Sequence, residues 1–139
     1  MSRHIAREVA FKVAFEMEFQ DESAEELFDR FLEYSAEKKL DINDEDVLYI
    51  KDVITGVKNN LENIDNCIKS KLKDWNFDRI SKIDLGILRV AIYEILYRND
   101  IPEKVSVNEA VEICKTYGED SSPSFVNGVL AEVLKEKKA

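Results

Sequence analysis

The residues of this 139-residue chain that could do chemistry are cations, aromatics and amides rather than nucleophiles. Arg3, His4, Arg7 and Lys12 are spaced to lie along one side of a first helix, with Phe11 and Phe15 close by. Cations neutralise phosphates and ring faces stack on unstacked bases at ~1–3 kcal/mol each, so such a surface suits single-stranded RNA. The competing reading is that the two phenylalanines are core and the cations only solubilise the helix. Arg89 stands in an otherwise apolar stretch. A buried unpaired charge is strongly unfavourable, so Arg89 must reach the surface or pair with a carboxylate such as Glu94 or Asp84. Phe125, Asn127 and Gly128 follow at the start of a final helix. An amide can bond a base edge, and a glycine lets another backbone come close. Helix packing is the alternative for Gly128 and Val126. Asn108 and Glu109 read as helix-start residues rather than ligands.

Catalysis has little to work with. His4 is the only histidine and lies near a terminus that would fray, which leaves Ser–His or Cys–His chemistry without a placed base. HExxH, P-loop, GxGxxG, CxxC and EF-hand patterns are absent from the sequence. The carboxylate pairs Glu25–Glu26 and Asp44–Glu45 suit exposed helix starts, where negative charge favours the dipole. Cys67 and Cys114 have no second cysteine or histidine at ligand spacing and read as reduced, buried thiols of a cytosolic protein. No catalytic site, metal or cofactor is expected.

The elements that must position these groups are helical. Two prolines, four glycines and apolar periodicity nearly end to end argue for one all-α domain over residues 1–139. Ile5, Val9, Val13 and Met17 recur every fourth residue and predict a helix over about 4–19. Ser23 and Glu26 form a capping box that opens a second helix with the stripe Leu27, Phe28, Phe31, Leu32 and Ser35. Residues 44–72 read as one long helix or two joined near Asn59–Asn60. Asp74–Phe77 breaks the pattern and puts Trp75 and Phe77 at a turn. The stretch 79–98 is apolar on most sides and belongs in the middle of the domain; it stops before Pro102. Ser106 and Glu109 form a second capping box, whose helix ends at Gly118 in left-handed geometry. Ser122 and Pro123 open the last helix, which runs into a basic tail. About seven helices result, and no apolar run approaches the ~20 residues that span a bilayer.

The formal charge of −9 is regional. Residues 1–17 carry three basic and two acidic groups, residues 18–52 four and thirteen, and residues 53–139 thirteen and fourteen. A basic patch is therefore compatible with the acidic total, although that total slows encounter with RNA.

Three segments share one further property. Ile83 to Leu96 carries LR-x-A-x-YE, Val105 to Lys115 carries V-x-V-N-E-A-V-E-I-x-K, and Ser124 to Leu130 carries FVNGVL. In order and spacing they resemble the NusB family of bacterial transcription antitermination factors, and Arg3-x-x-Ala6-Arg7-Glu8-x-Ala10 adds a weaker match. The resemblance implies two small helical bundles packed across one another in one compact domain. It implies a noncatalytic adaptor that binds boxA RNA together with NusE, a small-subunit ribosomal protein, in a complex on RNA polymerase acting mainly at ribosomal RNA operons. Arg3, Arg7, Lys12, Phe15, Arg89, Phe125 and Asn127 would carry RNA, and Asp84 would contact NusE. Family members occur as monomers and dimers, so a homodimer stays open.

The sequence departs from the family in places. Members often have an arginine-rich N-terminus, a tyrosine at the position of Phe15 and a lysine at that of Ser124. Each missing cation removes a phosphate contact, so weak RNA binding alone is expected, with the partner compensating. Two rival readings stand beside this one: a protein-only helical scaffold using the acidic face of residues 18–52, and a detached RNA-targeting domain of a ribosomal RNA methyltransferase.

Overall fold

Each helix start can be traced to a side chain that accepts a free backbone amide. The computed structural model describes residues 3–73 and 76–138, so Asp74 and Trp75 of the expected aromatic turn lie outside the described residues. Among these, seven α-helices form: α1 (Arg3–Glu16), α2 (Ala24–Glu37), α3 (Asp44–Asn59), α4 (Leu61–Lys71), α5 (Lys82–Tyr97), α6 (Glu103–Tyr117) and α7 (Ser122–Lys138), with one 3-10 turn at Phe77–Arg79. The capping box of α2 is formed: Glu26 N donates to Ser23 Oγ at 3.1 Å and Ser23 N to Glu26 Oε1 at 3.3 Å. Asn43 caps α3 and Ser81 caps α5 in the same way, through Asp46 N and Asp84 N. The long apolar stretch divides at Asn60, whose side-chain amide donates to Gly56 O at 2.8 Å and closes α3.

Three expectations about helix ends are corrected. α1 stops at Glu16, and Phe19 lies 61% exposed beyond it. α6 begins at Glu103 behind Pro102, so Ser106 and Glu109 sit inside the helix and form no capping box. Its end at Gly118 is as expected, but the backbone there is extended, with φ −91°, not left-handed. Two stripe residues, Ile5 and Leu32, are each 44% exposed.

α5 is the axis of the fold. It packs on α1, α3, α4, α6 and α7, and each residue from Asp84 to Ile95 is buried. α1, α2 and α3 form one bundle, α4 to α7 the other, and the α1–α5 and α3–α5 contacts join them. Leu88 and Ile92 are fully enclosed, each contributing ~1.5–3 kcal/mol of apolar burial. The α3–α5 crossing needs a glycine: a Cβ on Gly56 would sit 2.1 Å from the Tyr93 ring.

Candidate functional site

A helix apolar on nearly all sides leaves its few polar residues with internal jobs, and α5 carries two such residues. Glu94, 1% exposed, accepts from Arg7 Nε at 2.9 and 3.2 Å, from Ser106 Oγ at 2.8 Å and from the Tyr49 hydroxyl. Arg7 also reaches Glu109 at 3.4 Å. One carboxylate thus ties α1, α3 and α6 to α5. Burial disfavours the Arg7 charge, but Glu94 outweighs it and holds the guanidinium above its ordinary value. Burial and the charge of Glu94 push the Tyr49 hydroxyl far up, so it stays a donor.

Arg89 is the second. Its guanidinium bonds Asp65 in bidentate fashion at 2.9 and 2.7 Å and also bonds Glu18. Lys82 joins Glu18 at 3.3 Å. Burial works against the Glu18 carboxylate, yet Arg89 and Lys82 hold its pKa below the ordinary value. The partners are therefore Asp65 and Glu18, not Glu94 or Asp84.

These placements sort the expected RNA residues. Arg7 and Arg89 are 4% and 3% exposed with their donors committed, which corrects the expectation that they face outward. Arg3 is half-buried, stacked 4.5 Å from the Tyr49 ring centre and bonded to Glu45 at 3.3 Å. His4 does not fray: its Nε2 lies 3.0 Å from Glu8 and its Nδ1 bonds Glu109. The Glu109 bond raises its pKa, partly offset by burial. Glu109 is thus a partner of two α1 side chains, not a helix-start residue. Lys12 lies over the Tyr117 ring at 5.3 Å, and Phe15 packs half-buried between Phe11 and Phe19. Phe11 itself is core, 3% exposed. Lys12 and Phe15 together line a cavity of about 380 Å³ between α1 and α2, with Phe31, Tyr34 and Glu33.

On α7, Phe125 is half-buried against the core and Asn127 is exposed. Val126 is fully buried, as packing would have it, but Gly128 is exposed and a Cβ there would meet nothing within 4 Å. Packing therefore explains Val126 and not Gly128. Asp84, expected at a protein contact, is 8% exposed in the first turn of α5, and its Oδ1 has no hydrogen-bond partner among the described residues. Burial, reinforced by the Asp84 charge, pushes the Cys114 thiol up to about 12; Cys67 is only half-buried.

The arginine partners Glu94, Asp65 and Glu18 were legible only in part. Glu94 is a lone carboxylate in an apolar helix, the same signal that marks Arg89; Asp65 and Glu18 carry no such mark. Among the described residues no group of His, Cys, Asp and Glu could hold a metal, and no helix is long and apolar enough to cross a membrane.

Fold and side chains define a class: an all-α single domain whose central helix is pinned by two arginine–carboxylate clusters, leaving aromatics and amides on the surface. The chain belongs to the NusB family, whose model matches residues 4–135. It is 43% identical over 136 residues to the transcription antitermination protein NusB of Clostridium botulinum (strain Alaska E43 / Type E3), covering 98% of this chain and all of that one. T. maritima NusB has the same fold, with a TM-score of 0.84 and 37% identity over 98% of this chain and 92% of the other. A chain in the crystal structure of antitermination factors NusB and NusE in complex with double-stranded RNA matches with a TM-score of 0.83 and 27% identity, over 98% and 99%.

Proposed function

We propose that the chain is a transcription antitermination factor that binds RNA together with NusE, acting as a noncatalytic cytoplasmic adaptor. The observation that carries this reading is the full-length likeness to a chain held in a NusB–NusE–RNA complex. The RNA is boxA of ribosomal RNA operons, bound as part of a complex on RNA polymerase. Phe125 and Asn127 lead the contact; Arg3, Lys12 and Phe15 contribute from α1. Arg3 must leave Glu45 to meet a phosphate, and an exposed pair worth ~0–1 kcal/mol is easily exchanged. Arg7 and Arg89 act indirectly, by fixing α1 and α4 against α5. The orphaned Oδ1 of Asp84 is an acceptor that a donor from NusE would satisfy.

With a net charge of −9 and two of its arginines spent internally, the chain alone binds RNA weakly. NusE supplies further phosphate contacts. Relatives matched along their whole length are antitermination proteins, which favours this reading over a scaffold without RNA or a methyltransferase module. The test is a titration of labelled boxA RNA with and without NusE at two salt concentrations. Preference for boxA over a scrambled strand, greater with NusE, is expected; no preference even with NusE overturns the reading.

A further inference from the structure

The end of α4 and the outer face of α7 enclose a groove of about 340 Å³. Leu72, Phe125 and Val129 give it an apolar floor, and Lys73 and Gly128 stand at its rim. Lys71 is almost fully buried and pairs with Glu136 of α7, which fastens the two walls together. Two residues on, Lys73 is exposed and forms no ion pair among the described residues. Ser124 on the α7 wall is uncharged, so the positive charge of the groove comes from α4. Its one carboxylate, Glu132, is held by Lys135 at 3.3 Å.

Gly128 is the second observation. Glycine in a helix interior is less favourable than alanine, and here no neighbour requires it, since a Cβ would project into open space. What the glycine leaves is bare helix backbone at the groove's edge, next to the exposed amide of Asn127. A flexible strand with charged phosphates could lie against that surface, whereas a side chain would hold it off.

The geometry points to this groove as the seat of the sugar–phosphate backbone of single-stranded RNA. Lys73 neutralises a phosphate, Gly128 allows the closest approach, and Phe125 with Asn127 addresses the bases at the mouth. The inference rests on the RNA-binding reading above and names where the strand runs beyond the α7 start.

The test uses the full chain with NusE and labelled boxA RNA across a salt series, comparing wild type with Lys73→Ala, Lys73→Arg and Gly128→Ala, and recording the melting temperature of each. Lys73→Ala should lower the salt slope by ~0.7, the value for one phosphate on a single strand, and Lys73→Arg should restore it. Gly128→Ala should melt at the same or a higher temperature yet bind RNA at least several-fold more weakly. Wild-type binding with both Ala variants unchanged overturns the groove and leaves the RNA-binding reading standing. A Gly128→Ala variant that loses melting temperature and affinity together makes the glycine a packing residue and overturns its role. Absence of boxA preference in the wild type overturns both.

Discussion

The start of α1 and the start of α7 differ in where their polar groups point. At α1, Arg3, His4 and Arg7 each face a carboxylate, from Glu45, Glu8, Glu109 or Glu94, and the most basic part of the sequence is neutralised from within. At α7, Asn127 and Gly128 face solvent across from the unpaired Lys73. The first region spends its charge on holding four helices together; the second keeps its chemistry available. Counting cations along a sequence therefore says little about which of them can meet a phosphate.

The comparison breaks most visibly at Glu94. Glu94→Ala would leave Arg7 as an uncompensated buried charge, and a loss of about 3–5 kcal/mol is expected by urea denaturation. If α1 were instead held mainly by apolar contacts, the loss would stay within the ordinary range for a buried polar group. Arg89→Ala should cost less, ~1–3 kcal/mol, because Asp65 and Glu18 are partly exposed and can rehydrate. At α7, Phe125→Leu keeps most of the packing but removes the stacking face, so RNA affinity should fall by ~1–3 kcal/mol with only a small change in melting temperature.

Arg3 and Arg7 sharpen the contrast further. Arg3→Ala should lower the salt slope of RNA binding by ~0.7, while Arg7→Ala destabilises the fold and leaves the slope unchanged. Equal slopes for the two variants would erase the distinction between exposed and internal cations. The smallest expected effect is at His4. Its folded pKa is raised, so its contribution to stability is complete below the unfolded value near 6.5 and is lost as pH rises through the folded value. His4→Gln should flatten the melting temperature across that window.

The helices were legible because apolar residues recur at helical spacing, and Ser23, Asn60 and Pro102 mark boundaries by local chemistry alone. α6 misled because Ser-x-x-Glu fits a capping box and equally fits two polar residues one turn apart facing a buried network. Only the approach of Arg7 and Glu94 from other helices decides between them, and that approach is not written in local spacing. The same holds for Arg7, whose partner lies 87 residues away. Phe125 and Asn127 stood out by residue type, but Lys73 did not, since one lysine among many gains meaning only from the groove it borders.

The most direct test of the account is an amide-resolved NMR titration of the chain in complex with NusE, with boxA RNA added. The account predicts the largest shifts at Lys73 and at Phe125 to Gly128, smaller ones at Arg3 and Lys12, and little change around Glu94. Shifts confined to the start of α1, with residues 124–128 unmoved, would contradict it.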